Sequence, residues 1–317
     1  MAGNSSLNAA ATQDGYALQV EHLTKRYGGT KALDDLSMHV PKGSIYGFVG
    51  RNGADKTTLI RLICGLQRSA AGGFTLCGIR HDSPEIATAR RRMGAVVETP
   101  ALYMELSAVE NLKQQYLILG LPSMEGIPGL LRLVGLEGVG RKRAGRFSLG
   151  MKQRLGIAMA LAGEPEFLVL DEPVNGLDPQ GIVELRELLL KLNLERGITI
   201  LISSHNLDEL SRLATHYGII DRGRMVRELS AEELRAECRK RVRIEATSPT
   251  ALCRALDAMG ASYKAVSGTV VDVFDKISFT ELALALAKVG CEVLSVQELD
   301  DGLEEYFISL VGGESRD

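Results

Sequence analysis

The 317-residue sequence is 45% hydrophobic and 24% charged, so it can bury a full core and is long enough for one large domain with a smaller one. Its formal net charge of −3 gives no electrostatic footprint for nucleic acid, which is therefore not an expected partner. Five cysteines without C-x-x-C spacing indicate neither a disulfide framework nor a zinc site, and no apolar run approaches the ~18 residues that span a bilayer. We expect a globular protein of a reducing compartment, which reaches a membrane only through a partner.

The first segments predict a disordered leader followed by strands. Residues 1–16 are small and polar, which is typical of disorder. Next, "ALQVEHLT" and "LDDLSMHV" alternate apolar and polar residues and predict half-buried antiparallel strands. The nearly continuous apolar run "SIYGFVG" predicts a buried strand, and "KTTLIRLICGL" has the apolar spacing of a helix. Strand, loop and helix in this order are the context that a phosphate-binding loop requires.

The loop between this strand and helix reads "GRNGADKTT". Gly50, Lys56 and Thr57 meet the pattern G-x-x-x-x-G-K-[ST], but Asp55 stands just before the lysine, where glycine belongs. A carboxylate at a helix start is favourable because it accepts from free N–H groups and meets the positive end of the dipole. We therefore predict that Asp55 takes the place that a phosphate needs and weakens nucleotide binding, with Mg²⁺ recovering part of the loss. The alternative is that the side chain turns into solvent and Lys56 works as usual.

Residues 95–165 have a mostly helical pattern and predict an inserted helical subdomain. Within it, Ser107 and Glu110 form a capping box ahead of "NLKQQYLILGL". Downstream, "EFLVLDEP" and "ITILISSH" predict buried parallel strands on either side of the helix "IVELRELLLKLNLE". The sequence thus returns to an α/β core, and residues 17–237 are predicted to form one large domain.

A change of composition near Cys238 predicts a second, accessory domain at residues 238–317. Its order of strands and helices is compatible with a small α/β domain of the ferredoxin-like type. The predicted elements are a strand at 242–246, a helix at 249–259, a strand at 269–274, a helix at 278–289, a strand at 292–297 and a helix at 303–310.

Two carboxylates, Asp171 and Glu172, follow directly on the strand "FLVL". The carboxyl ends of strands are where open α/β sheets bind their ligands. Asp171 is therefore predicted to hold Mg²⁺, and Glu172 to polarise an attacking water. The alternative is an exposed acidic pair at the end of a strand.

Three further segments complete a recognisable set: "FSLGMKQR", "NGLDP" and "SSHNLDE". Together with the loop and the strand-end carboxylates, they resemble the ATP-binding subunit of ABC transporters over about residues 17–235. The resemblance implies an α/β fold with a P-loop ABC-ATPase core, an antiparallel β subdomain and the inserted helical subdomain. The signature pattern S-x-G-x-x-Q is met by Ser148, Gly150 and Gln153, with Leu149 and Met151 where glycine is more common.

The resemblance implies roles for single residues. Lys56 would be the point charge on the outer two phosphates, and His205 would be the switch that senses the γ-phosphate and steadies Glu172. Tyr27 resembles the aromatic residue that stacks on adenine, although a surface tyrosine at a strand edge is the alternative. The implied ATP-binding residues are Tyr27, Gly50, Asn52, Gly53, Asp55, Lys56, Thr57, Thr58, Ser148 and Gly150. The implied Mg²⁺ ligands are Thr57, Glu98 and Asp171, and the implied catalytic residues are Glu172 and His205.

Glu98 is a departure from the family, which more often has glutamine at this position. It can still bind Mg²⁺ or water through its oxygens, but it adds negative charge and cannot donate a hydrogen bond when ionised. This glutamate, together with "SLGMKQRLGIAMAL" and the ending "LEEYFISLVGG", is similar to the subfamily that exports bacitracin-like and lantibiotic peptides.

In the family, two such subunits close head to tail, so that Ser148 and Gly150 of one chain cover the γ-phosphate bound to the other, with Asp178 at the contact. The resemblance therefore implies a second ATPase subunit, identical or related, and a transmembrane permease that holds this cytoplasmic chain at the inner face of the cell membrane.

Two functions stay open: an ATPase that powers export of antimicrobial peptides or other amphipathic molecules, and a subunit impaired by Asp55 that completes a partner's ATP site. An ABC-type protein acting on DNA or the ribosome fits poorly, since such chains usually carry two ATPase units or a long coiled coil.

Overall fold

The computed structural model of the chain describes residues 15–238, 241–275, 277–299 and 303–311. Most of the predicted leader lies outside these residues, and its last residue, Tyr16, belongs to the first strand instead. The chain divides into two compact units, and the division falls between Ala231 and Glu232. The boundary predicted after residue 237 falls six residues further on, at the end of a short helix, Ala231–Glu237.

An antiparallel sheet of four strands opens the first unit, in the order β2-β1-β4-β5. Its inner face carries the alternating apolar residues that the sequence predicts, among them Leu18, Val20 and Met38, which are fully buried. These residues join one hydrophobic core with the helix that follows the phosphate loop. The strands are β1 (Tyr16–Tyr27), β2 (Thr30–Pro41), β4 (Ala71–Leu76) and β5 (Ile79–Arg80).

A second sheet of six strands forms the centre of this unit, in the order β10-β9-β3-β8-β7-β6. All neighbouring pairs are parallel except β9 with β10. Every residue of β3, β7 and β8 is buried, which explains their continuous apolar runs. Because β3, β7 and β8 are parallel neighbours, the residues that follow them meet at one edge of the sheet. The strands are β3 (Ile45–Gly50), β6 (Met93–Val96), β7 (Phe167–Leu170), β8 (Thr199–Ser204), β9 (His216–Asp221) and β10 (Arg224–Ser230).

The segment between β6 and β7 is helical, in line with the predicted helical subdomain, although residues 95 and 96 belong to β6. The capping box is confirmed: Ser107 and Glu110 bond reciprocally at the start of α3. Two single 3₁₀ turns, Glu137–Val139 and Ala144–Arg146, also lie in this segment. The α-helices of the first unit are α1 (Lys56–Ile63), α2 (Ile86–Arg91), α3 (Ala108–Leu119), α4 (Ile127–Leu133), α5 (Leu149–Ala160), α6 (Pro179–Arg196) and α7 (Leu207–Ser211).

The second unit contains an antiparallel sheet in the order β12-β13-β11-β14. With α9 and α10 as the connections, this is the βαββαβ arrangement of ferredoxin-like folds. Strand β12 was not predicted, because its three residues are mostly exposed and carry no apolar alternation. The elements are α8 (Ala231–Glu237), β11 (Arg241–Ala246), α9 (Pro249–Ala258), β12 (Tyr263–Ala265), β13 (Val270–Val273), α10 (Phe279–Ala287), β14 (Val293–Leu299) and α11 (Leu303–Val311).

The core of the second unit lies between its sheet and helices α9 and α10. Leu252 and Leu256 of α9 and Leu286 of α10 pack there against Ile244 and Val271 of the sheet. None of the helices in the described parts of the chain is long and apolar enough to cross a membrane.

Candidate functional site

The loop from Gly50 to Asp55 connects the central strand β3 to α1. Gly50 must lack a side chain, since a Cβ there would lie 2.6 Å from Cγ2 and 2.7 Å from the carbonyl oxygen of Ile220. Gly53 has a positive φ of 83°, which allows the chain to turn back toward the start of α1. The loop therefore has the tight backbone path that directs amide groups toward a phosphate.

Asp55 has a left-handed backbone, with φ 66° and ψ 28°, and no hydrogen bond from its side chain to the amides at the start of α1. A residue that caps a helix with its side chain normally has an extended backbone, which Asp55 lacks. Its Oδ1 accepts instead from the hydroxyl of Thr58, at 2.9 Å. The prediction that Asp55 binds the free amides was thus wrong, and the alternative of full exposure is also not seen, since the residue is half-buried.

Lys56 is 6% exposed, and its ammonium group folds back against its own loop. The Nζ donates to the carbonyl oxygens of Gly50, at 2.6 Å, and Arg51, at 3.3 Å. It also forms an ion pair with Oε1 of Glu172, at 3.1 Å. The charge that the sequence assigns to the phosphates is therefore held directly beneath the loop, next to the predicted catalytic carboxylate.

Asp171 lies at the end of β7 and is 1% exposed. Its two oxygens accept hydrogen bonds from two hydroxyls, of Thr57 at 2.8 Å and of Ser203 at 2.7 Å. A hydroxyl and a carboxylate in contact are hard oxygen donors, the kind that Mg²⁺ takes in nucleotide sites together with phosphates. The residues present therefore fit the predicted metal.

Glu172, which follows Asp171, has a positive φ of 47°. Its backbone N–H donates to Oγ of Ser203, at 2.8 Å. Its Oε2 lies 2.8 Å from Nδ1 of His205. Because an ionised carboxylate can only accept a hydrogen bond, Nδ1 is assigned as the donor. The Glu172 carboxylate thus bridges Lys56 and His205. The structure brings together five residues that the sequence places at three separate motifs: Lys56, Thr57, Asp171, Glu172 and His205.

Glu98 does not join this network. Its carboxylate forms an ion pair with Arg61, on the exposed side of α1, and its backbone has a positive φ of 58°. The predicted Mg²⁺ ligands Thr57 and Asp171 contact each other, whereas Glu98 is held by a cation.

Tyr27 ends β1 and exposes 46% of its surface. Its hydroxyl donates to Oε1 of Gln67, at 2.5 Å, and Nζ of Lys25 lies 5.1 Å from the centre of its ring. The ring is therefore fixed at the surface and stays accessible for stacking.

Ser148, which is exposed, and Gly150, which is half-buried, lie at the start of α5. The backbone N–H of Met151 donates to Oγ of Ser148, at 3.3 Å, so the serine caps its own helix. A Cβ at Gly150 would have Leu177 as its nearest neighbour, at 3.7 Å, and Asp178 caps the start of α6. These residues therefore lie at the N-termini of α5 and α6, and within the described residues none of the three forms a hydrogen bond with the phosphate loop.

Two partners of the predicted site residues were missed by sequence reasoning. Ser203 links Asp171 to the backbone of Glu172, and Arg61 neutralises Glu98. A polar residue at the end of the apolar run "ITILISS" was the available signal for Ser203, whereas the partner of Arg61 could not be read from spacing.

Burial also changes two ionisable groups near the site. It raises the pKa of Cys64, at the end of α1, to about 11, so this thiol is protonated at neutral pH and is not a nucleophile. Burial likewise raises the pKa of Glu209 on α7, against the opposing effect of His205.

A phosphate loop between the buried parallel strand β3 and a helix, with Asp171 and Glu172 at the end of β7, two strands along the sheet, defines a P-loop ATPase. The model of the ABC transporter family matches residues 33–175. The chain is 39% identical, over 93% of its length and 97% of the relative, to the bacitracin transport ATP-binding protein BcrA of Bacillus licheniformis. It belongs to the family of ABC transporter ATP-binding proteins.

Two further comparisons agree with this assignment. The lantibiotic transport ATP-binding protein SrtF of Streptococcus pyogenes is 41% identical over 67% of this chain and 90% of its own length. The structure of CbiO1 of Clostridium perfringens, part of an ABC transporter complex, is 30% identical and superposes with a TM-score of 0.64 over 70% of this chain and 92% of its own. The predicted family and the ABC-ATPase fold are thereby confirmed.

Proposed function

We propose that this chain powers the export of a bacitracin-like peptide through a separate membrane permease. The observation that carries the proposal is the extent of the similarity to BcrA, which includes both the ATPase unit and the ferredoxin-like unit. The similarity to the lantibiotic relative covers only two thirds of this chain. A bacitracin-like cargo is therefore favoured over a lantibiotic.

In the proposed reaction, the amides at the start of α1 and the ammonium group of Lys56 bind the phosphates of ATP. Lys56 exchanges its contacts with the loop carbonyls for phosphate oxygens. Thr57 and Asp171 would hold Mg²⁺, which would neutralise charge that develops on the transferred phosphoryl group. Asn52, Gly53 and Thr58 complete the cradle, and Tyr27 supports the adenine.

Glu172 then orients the attacking water and accepts its proton. The N–H of His205 holds one oxygen of this carboxylate, and Lys56 holds the other. Once Lys56 turns to the phosphates, Oε1 is released to face the water, so nucleotide binding itself prepares the base.

A second ATPase subunit completes the site in this proposal. Ser148 is exposed and Gly150 half-buried at the start of α5, and we propose that they meet the phosphate bound by another copy. Asp178, at the start of α6, is the accompanying contact.

The permease is proposed to dock in a groove of about 910 Å³ between β6 and helices α3 and α5. Tyr103 and Ile118 line this groove and are 51% and 68% exposed. Apolar side chains exposed at the rim of a groove are typical of surfaces that bind another protein.

The proposal is tested in two steps. Full-length tagged chain, purified from detergent-solubilised membranes of its native cells, identifies the permease that copurifies with it. Both proteins are then expressed in a bacitracin-sensitive host, and the minimal inhibitory concentrations of bacitracin and of a lantibiotic are measured.

We expect the inhibitory concentration of bacitracin to rise at least fourfold, and the increase to disappear with Glu172→Gln. Glu195→Gln, an exposed position on α6, is the matched control and should keep the increase. An increase for the lantibiotic alone would assign the other cargo, and no change for either peptide would overturn the proposed export function.

A further inference from the structure

The carboxylate of Asp55 carries a negative charge that its surroundings do not neutralise. Its neighbour in sequence, Lys56, directs its ammonium group to Glu172 and to two loop carbonyls instead. Across the described ranges of the chain, no cation forms an ion pair with Asp55. The phosphate loop therefore contains a fixed anion at the position where ATPases of this kind have glycine.

This anion does not block the loop. The hydroxyl of Thr58 holds the carboxylate, at 2.9 Å, and the amides at the start of α1 receive no hydrogen bond from it. The donors that bind a phosphate are therefore available, but a bound phosphate lies close to a carboxylate that is half-buried and only partly screened by water.

The repulsion between the two depends on the charge of the nucleotide. Metal-free ATP has about four negative charges on its phosphates at neutral pH, and a bound divalent cation removes about two of them, so the Coulomb penalty falls by roughly half. A loop with glycine at this position has no carboxylate and therefore no such repulsion of the nucleotide.

We infer that Asp55 makes this phosphate loop select ATP in its complex with a divalent cation and reject metal-free ATP. The inference rests on the proposed function, in which this loop binds ATP. Asp55 is in this view a specificity-determining residue and not a damaging substitution. It lowers affinity chiefly for metal-free ATP, the form of the nucleotide that cannot be hydrolysed.

The test compares dissociation constants of the full-length chain for ATP, measured by calorimetry with Mg²⁺ and with a chelator at equal ionic strength. The quantity of interest is the ratio of the metal-free to the Mg²⁺ constant. Asp55→Asn removes the charge but keeps the shape and the tolerance of a left-handed backbone. Asp55→Gly removes the Cβ as well, and Glu125→Gln removes an exposed charge in the helical segment as the control.

We expect the ratio to be at least tenfold larger in the unmodified chain and in Glu125→Gln than in Asp55→Asn and Asp55→Gly. Equal ratios in all four proteins, within threefold, would overturn the inference and leave the proposed function intact. A decrease in Asp55→Gly alone would also overturn it, because the Cβ rather than the charge would then be responsible. If Asp55→Gly, folded by circular dichroism, binds no ATP even with Mg²⁺, the proposed function itself fails.

Discussion

Three acidic residues around the phosphate loop have a left-handed backbone: Asp55, Glu98 and Glu172, with φ of 66°, 58° and 47°. This conformation costs a residue other than glycine roughly 1 kcal/mol or more, and such residues concentrate at functional sites. Each of the three is held by a specific partner, namely Thr58, Arg61 and the pair of Lys56 and His205. The strain is thus compensated by contacts that also fix where each negative charge lies.

Glu172→Gln is expected to reduce ATP turnover at least a hundredfold, because an amide cannot accept the proton of the attacking water. Nucleotide affinity should stay within about threefold, since Lys56 and the amides of α1 are unchanged. Phosphate release and calorimetric binding on the same preparation measure the two effects. A turnover that survives in Glu172→Gln would remove this residue from the chemistry.

Away from the phosphate loop, the carboxylate of Glu228 on β10 has a structural role in the first unit. It accepts from the hydroxyl of Tyr46 on β3, at 2.6 Å, and from the backbone N–H of His39 on β2, at 2.8 Å. Nδ1 of His39 lies 2.9 Å from its other oxygen. This hydrogen bond to Glu228 raises the pKa of His39, although partial burial opposes the effect. One side chain therefore connects the antiparallel sheet to the central sheet.

The raised pKa of His39 predicts a pH-dependent contribution to stability. The contribution is fully present below the unfolded pKa, near 6.5, and is lost as pH rises through the higher folded pKa. The difference in free energy of unfolding between the unmodified chain and His39→Gln should therefore be larger at pH 6 than at pH 8. Urea denaturation at the two pH values measures it, and a difference that does not change with pH would contradict the assignment.

At the scale of elements, the groove beside α3 is the proposed docking site of the permease. Ile118→Asp is expected to reduce copurification of the permease at least tenfold without lowering the melting temperature, because Ile118 is already largely exposed. Leu194→Asp, at an exposed position on α6, serves as the control. Equal recovery of the permease with both variants would place its docking site elsewhere.

Elements that bury a whole face could be predicted from the sequence, and contacts between distant side chains could not. Strands β3, β7 and β8 read as continuous apolar runs because both of their faces are covered, and the capping box at Ser107 is a local pattern. The three exposed residues of β12 leave no such pattern. The direction of the Asp55 carboxylate depends on a backbone angle and on Thr58, and its residue type alone favoured the wrong partner.

At the scale of the whole molecule, the two units have separate hydrophobic cores. The alignment with the lantibiotic relative covers 67% of this chain, which is close to the length of the first unit alone. A chain that ends at Glu237 is therefore expected to bind Mg²⁺-ATP within about threefold of the full chain. Calorimetry on both proteins measures this. Loss of binding by a truncated chain with a native circular dichroism spectrum would show that the second unit contributes to the ATP site.

The position of β3 at the centre of the six-stranded sheet has a consequence for synthesis on the ribosome. Its partners β8 and β9 lie roughly 150 or more residues further along the chain, so the strand that leads into the phosphate loop stays unpaired until they emerge. During that interval a strand whose six residues are all buried in the folded protein has no partner strand to pair with. Translation pauses before residue 221 should therefore increase aggregation and chaperone dependence, whereas pauses in the second unit should have little effect, because the central sheet is by then complete.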